Sequence, residues 1–152
     1  MEWLGLTDKT YIVTGGSSGI GAAIVHELIA NGANVVDADL KENDYKNDHL
    51  LFVQTDVTSR DQINKLVNKT IDEFGNIDGL VNNAGINLPR LLVDTKEANG
   101  QYELDENEFD KMFTINVKSQ FLMSQAVGHV LVKNGKGVIV NMSSEAGLEG
   151  SQ

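Results

Sequence analysis

A chain of 152 residues, 41% of them apolar and 15 of them glycine, has the size and make-up of one globular domain with one core, residues 1–152 forming a single unit. The absence of cysteine excludes disulfides, thiol catalysis and thiolate metal sites, and His26, His49 and His129 lack metal-ligand spacing. A net charge of −10 disfavours nucleic acid and anionic membranes as partners, and with no bilayer-length apolar run and no basic leader at Met1-Glu2-Trp3-Leu4 a cytoplasmic protein is expected.

The β-branched run Thr10 to Thr14 predicts a buried strand. It enters Thr14-Gly15-Gly16-Ser17-Ser18-Gly19-Ile20-Gly21, a glycine turn that opens into a helix. Glycines at 15, 19 and 21 allow a sharp turn and close backbone approach, and the free N–H groups of a first helical turn attract an anion, so this segment is expected to cradle a pyrophosphate. Ile20, Ala23, Ile24 and Leu28 give the helical stripe and Asn31-Gly32 the stop; Asn34 to Asp39 is a second strand. Strand, turn, helix and strand make a βαβ unit, in which parallel strands require a crossover.

Lys41 to His49 reads as a loop with room for one helical turn, and Leu50 to Gln54 as a third strand. Ser59 with Gln62 forms a capping box for a helix whose apolar stripe is Ile63, Leu66, Val67, Thr70, Ile71 and Phe74, with Gly75 as its stop. Ile77 to Val81 is a fourth strand leading into Asn82-Asn83-Ala84-Gly85. Leu88 to Tyr102 has no period and carries Pro89 and an Asn99-Gly100 turn signal, which predicts a long functional loop. From Asp105, paired with Glu108, one long helix is expected to reach about Val132, with Phe109, Met112, Phe113 and Asn116 toward the sheet. Val138 to Met142 is a fifth buried strand, ending in Ser143-Ser144. The alternation predicts an α/β, Rossmann-like, doubly wound parallel sheet of order 3-2-1-4-5 with its ligand crevice at the carboxyl ends of the strands.

Polar residues stand at each of those ends: Thr14-Gly15, Asp39, Asp56, Asn82-Asn83 and Ser143-Ser144. Asp39 is placed to accept both ribose hydroxyls of an adenosine, and its charge would repel a 2′-phosphate, which selects NAD over NADP. Lys41 stands close by. Asp37 is a rival, with a structural or strand-edge role as the alternative. Asp56 also suits a helix entry ahead of Thr58 and Ser59.

In sequence, the chain resembles the short-chain dehydrogenase/reductase family. Thr14-Gly15-x-x-x-Gly19-Ile20-Gly21 is similar to its cofactor motif, Asn82-Asn83-Ala84-Gly85 to the motif beside the cofactor, Ile115-Asn116-Val117 to the segment with its catalytic Asn, and Val138 to Ser144 to the strand delivering its catalytic Ser. The resemblance implies a Rossmann fold with NAD held by Thr14, Gly15, Ser17, Ser18, Gly19, Ile20, Gly21, Asp39, Leu40, Asp56, Val57, Asn83, Ala84 and Gly85. It implies Ser144 as the group that hydrogen-bonds the substrate oxygen, and Asn116 as the holder of a water in the proton relay. The Ile86 to Asp94 loop and Glu145 to Gly150 look like a branch acting on polyol phosphates. That makes Arg90 a phosphate clamp, with an ion pair to Asp94 as its alternative, and Glu145 a second substrate contact.

The family's acid/base Tyr, in Tyr-x-x-x-Lys, is expected on a helix after Ser144. Tyr11, Tyr45 and Tyr102 lie elsewhere and none has Lys four residues on. The chain therefore reads as the amino-terminal part of a dehydrogenase, its sheet truncated after the fifth strand. A non-catalytic nucleotide-binding or interaction module is the alternative. An uncovered fifth strand would lower stability and favour a homo-oligomer, alongside a small-molecule substrate as partner.

Overall fold

A computed structural model describes residues 4–96 and 100–149. Residues 1–3, Asn99 of the expected Asn99-Gly100 turn, and Gly150 lie outside the described residues. The chain order is β1 (Thr10–Thr14), α1 (Gly19–Ala30), β2 (Asn34–Asp39), β3 (Leu50–Gln54), α2 (Arg60–Phe74), β4 (Gly79–Asn82), α3 (Glu106–Phe113), a π-helical segment (Thr114–Lys118), α4 (Ser119–Asn134), β5 (Val138–Asn141) and α5 (Ala146–Glu149).

The strands form one sheet of order β3-β2-β1-β4-β5, parallel throughout. Side chains alternate across it. Val13 and Val35 pack with Val25 of α1 on one face, whereas Ile12, Val36 and Leu80 pack with Ile63 and Leu66 of α2 and Met123 and Val127 of α4 on the other. Helices on both faces bury both layers of β1, β2 and β4, which favours apolar residues on either side of these strands, with Asp37 of β2 a buried exception.

Element ends follow from local chemistry. Ser59 caps α2 by accepting from the Gln62 N–H, and Gly75 closes it in the left-handed conformation at φ 77°. The reciprocal arm of the expected capping box goes elsewhere: Gln62 Oε1 accepts from the Asp56 N–H at 2.8 Å. Asp105 caps α3 through the Glu108 N–H at 2.7 Å, and Gly135, at φ 71°, ends α4.

Four expectations change. Ile20 and Ala23 are exposed and not part of the buried stripe of α1, which is carried by Gly21 and Val25 with Ile24, Leu28 and Ile29 half-buried. The loop from 41 to 49 contains no helical turn. The expected single helix after Asp105 is split by the π-helical segment, whose one wider turn rotates the two flanking faces relative to each other. Phe109 and Phe113 face outward at 49% and 54% exposure, whereas Met112 and Asn116 face inward as expected, together with Gln120. Finally β5 is exposed along its length, because it pairs only with β4 and no described residue covers its outer edge.

Candidate functional site

The carboxyl ends of β1, β2, β4 and β5 open onto two adjoining clefts that share Ile20, Asn83, Ala84, Gly85 and Ile86. The first, of about 400 Å³, runs from Gly15, Ser18 and Gly19 past Asp39 and Leu40 to Asp56 and Val57. The second, of about 540 Å³, extends past Asn116 and Gln120 to Ser143 and Ser144. Of the expected dinucleotide contacts, all but Thr14, Ser17 and Gly21 line the first cleft.

Those three act from behind. Thr14 is buried, and its Oγ1 accepts from the Asn83 and Ala84 N–H groups, each at 3.0 Å. Asn83 Nδ2 in return donates to the carbonyls of Thr14 at 3.0 Å and Gly15 at 3.2 Å, while the Gly15 N–H donates to the Ala38 carbonyl at 2.8 Å. The ends of β1 and β4 are thus tied through one threonine and one asparagine, and that of β2 through the Gly15 amide. At Gly21 a Cβ would stand 2.0 Å from the Gly15 carbonyl oxygen, so α1 approaches the turn too closely for any other residue. Gly19, at φ +53°, faces open space instead.

No side chain caps α1 at Ser18, which leaves the amides of its first turn for an anion. A pyrophosphate fits an uncapped helix start beside a glycine with free space over it, and the acid expected on the ribose, Asp39, is half-buried in the cleft wall. Asp39 is held in place: Oδ1 accepts from the Leu40 N–H at 2.6 Å and Oδ2 from the Ser17 N–H at 3.1 Å. Asp56 accepts from the Thr58 N–H and hydroxyl, as a helix-entry residue does, and also lines the cleft.

Asp37, the rival acid, is 2% exposed and sits in β2, an interior strand, which removes an edge role. Its Oδ2 accepts from Ser17 Oγ at 2.6 Å, and its buried Oδ1 has no well-formed hydrogen bond. Burial pushes its carboxyl up to about 6, Asp39 and Glu42 add to the rise, and the Ser17 hydroxyl and Gly16 amide partly oppose it.

In the second cleft Asn116, from the π-helical segment, clasps the backbone of Ile86: Oδ1 accepts its N–H at 2.8 Å and Nδ2 donates to its carbonyl at 2.9 Å. Ser144 lies past the end of β5, exposed, with Oγ accepting from the Ala146 N–H at 3.2 Å. Sequence reasoning gave Gln120, Asn141 and Ser124 no supporting role and named Asn82 only as a polar strand end and motif residue. Gln120, one turn beyond Asn116, donates to the Met142 carbonyl at 3.3 Å. Buried Asn82 donates to Asn141 Oδ1 at 2.8 Å and to Ser124 Oγ at 3.1 Å, bracing β5. The four-residue spacing of Met112, Asn116 and Gln120 was the available signal for Gln120; the Asn82–Asn141 pair required the β4–β5 register, and Ser124 the docking of α4 on β4.

Arg90 and Glu145 stand outside the cleft lining. Arg90 makes a two-pronged pair with Glu108, Nε at 3.1 Å and Nη2 at 2.8 Å, rather than with Asp94. Asp94 is buried and accepts the Lys96 and Tyr102 N–H groups instead. None of the three tyrosines lines either cleft; Tyr11 packs on Gly79 in β4, where burial and Asp78 raise its phenol. Among the described residues no helix is long and apolar enough to cross a membrane.

Comparison with known proteins agrees with this geometry. The chain is 51% identical over 152 residues to a sorbitol-6-phosphate 2-dehydrogenase of Klebsiella pneumoniae, covering 99% of this chain and 57% of that protein. It is 36% identical to an NAD-dependent glycerol dehydrogenase of Listeria innocua, with 94% and 55% covered, and 35% identical to a 3-oxoacyl-[acyl-carrier-protein] reductase of Thermotoga maritima, with 96% and 59% covered. The chain thus spans little more than half the length of these relatives. The family described as short chain dehydrogenase matches residues 9–152, and with the parallel sheet, the glycine turn and the Asn and Ser positions in place, the chain belongs to the short-chain dehydrogenase family.

Proposed function

We propose that this chain supplies the cofactor site and part of the active site of an NAD-dependent oxidoreductase acting on a secondary alcohol or ketone, a polyol phosphate of the sorbitol 6-phosphate and fructose 6-phosphate type. The observation that carries it is the first cleft, where an uncapped helix start, a glycine turn and a braced Asp39 meet at one sheet edge. NAD is favoured over NADP because Asp39 offers two acceptor oxygens to ribose hydroxyls and negative charge to a 2′-phosphate. The glycine-turn amides, with Ser18 and Gly19, hold the pyrophosphate; Leu40 and Val57 flank the adenine; Asn83, Ala84, Gly85 and Ile20 wall the passage to the second cleft. The bound nicotinamide supplies hydride transfer.

Ser144 donates a hydrogen bond to the substrate oxygen as charge develops there. Asn116, through its grip on Ile86, fixes the wall of the second cleft and positions a water for the proton relay. Arg90 would clamp the substrate phosphate by exchanging Glu108 for it, and Glu145 would meet a substrate hydroxyl. The resemblance of the relative that acts on sorbitol 6-phosphate supports this substrate class. We place the protein in the cytoplasm, as a homo-oligomer associating through its exposed apolar faces.

A second reading has its own observation. No Tyr or Lys among the described residues lines either cleft, so these residues alone would bind the dinucleotide without exchanging the proton, as a nucleotide-binding or interaction module. NADH fluorescence titration of the 152-residue chain tests the cofactor site, and a turnover assay with sorbitol 6-phosphate and NAD separates the readings. Saturable binding is expected; its absence overturns both. With NADH bound, fructose 6-phosphate should raise the melting temperature of the chain but not of Arg90→Ala.

A further inference from the structure

Beside the first cleft a third depression, of about 420 Å³, opens between the glycine turn and the loop after β2. Ser17, Asp39, Lys41, Glu42 and Asp44 line it. If Asp39 holds the adenosine ribose, a 2′-phosphate would enter this depression. Three carboxylates and one lysine already make it unwelcoming to an anion, and Asp37 is joined to its lining through Ser17. Ser17 bridges the two acids: its amide donates to Asp39 at 3.1 Å and its hydroxyl to Asp37 at 2.6 Å.

Asp37 also borders a separate depression of about 220 Å³ under the β2–β3 loop. Val13 and Phe52 are its register neighbours on β1 and β3, and Val25 of α1 packs near the same Gly16 that Asp37 Oδ1 abuts. The charged and titratable groups facing it are Asp39 on its own strand and Glu42, Tyr45, Lys46 and Asp48 of the β2–β3 loop, and Lys46 is already paired with Glu42. No cation among these partners it. A carboxylate only 2% exposed, with one oxygen lacking a well-formed hydrogen bond, is screened by water less than a surface charge is.

Building on the dinucleotide reading, we infer that Asp37 is a specificity-determining residue of the nucleotide site: its buried negative charge, transmitted through the Ser17 floor, adds to Asp39 in excluding a 2′-phosphate. The discrimination is therefore linked to a proton. With Asp37 ionised, the site faces two carboxylates; with Asp37 neutral, it faces one. By reciprocity, the factor by which the charge weakens 2′-phosphate binding equals the factor by which a bound 2′-phosphate raises the proton affinity of Asp37.

Two measurements on the 152-residue chain test this. In the first, affinities for NADPH and NADH are measured at pH 8 and pH 5 for the wild type and Asp37→Asn. The 2′-phosphate takes up its own proton in this range, so the comparison is between proteins at each pH. At pH 8 the variant should discriminate less against NADPH, by about threefold to tenfold, and at pH 5 the two proteins should converge. The second needs no variant: the Asp37 carboxyl is titrated by carbon NMR with saturating 5′-AMP or adenosine 2′,5′-bisphosphate. The bisphosphate should raise its midpoint by about half a pH unit or more relative to 5′-AMP. Equal midpoints, or equal discrimination by both proteins at pH 8, overturn the inference while leaving the cofactor site intact. Failure of every nucleotide to bind at either pH overturns the dinucleotide reading, and this inference falls with it.

Discussion

Asn116 and Ile86, 30 positions apart, exchange two hydrogen bonds, one in each direction, between a side-chain amide and a backbone amide. The pairing fixes which atom of the Asn116 amide is oxygen, and it ties the loop after β4 to the π-helical segment between α3 and α4. Asn116→Ala leaves the Ile86 N–H and carbonyl without protein partners in a half-buried position. We expect a loss of about 2 kcal/mol in stability, measured by urea denaturation at unchanged dependence on denaturant, together with weaker NADH binding because Ile86 walls both clefts.

Thr14 offers a sharper dissection. Thr14→Val keeps the shape and removes the acceptor shared by the Asn83 and Ala84 N–H groups. The variant should lose about 1–3 kcal/mol, and Thr14→Ser should recover most of it. A Thr14→Val protein as stable as the wild type would mean that the threonine only fills space.

Asp37 makes stability depend on pH in an unusual direction. Folding raises its carboxyl from 3.8 to about 6, chiefly by burial, so the folded protein binds this proton more tightly than the unfolded chain. The contribution of this group is therefore full below about pH 4 and is lost as pH rises through about 6. Asp37→Asn should match the wild type near pH 4 and exceed it at pH 8 by about 1–3 kcal/mol. Thermal melts across that range check it; a variant less stable at pH 8 would show that the ionised Asp37–Ser17 bond outweighs the burial cost.

The exposed strand β5 carries Val138, Ile139 and Val140 at 48%, 36% and 45% exposure. An apolar parallel edge invites pairing with another copy. Val140→Lys should shift the 152-residue chain from associated species toward monomer in sedimentation velocity, with little change in nucleotide binding.

Much of this architecture is legible in the residues themselves. The bounds of β1, β2 and β3 follow from β-branched runs between glycine and polar stops, and the strand order follows from the handedness of the crossovers. The cleft lining by Gly15, Gly19, Asp39 and Asn83 was equally readable, because each stands at the end of a strand or the start of a helix. What stayed hidden depends on contacts between segments far apart in sequence. The π-helical turn, with Phe113 outward against expectation, has no local signature in Thr114-Ile115-Asn116-Val117-Lys118. The preference of Arg90 for Glu108 over Asp94 arises because α3 brings Glu108 to it while the loop buries Asp94. The Asp37–Ser17 bond needed the depth of the strand, which periodicity in a doubly covered sheet does not report.

The hydrogen bonds from Asn83 to Thr14 span 69 residues. Such a contact forms only after a long stretch of chain has been closed, at an entropic cost that local structure cannot repay. The first cleft is thus assembled from segments far apart in the chain, and a βαβ piece ending at β2 would lack its Asn83, Ala84 and Gly85 wall. A dinucleotide bound there would stabilise the whole sheet by mass action, so protection of the β1 and β4 amides from hydrogen exchange should rise with NADH concentration although no residue of either strand lines the first cleft.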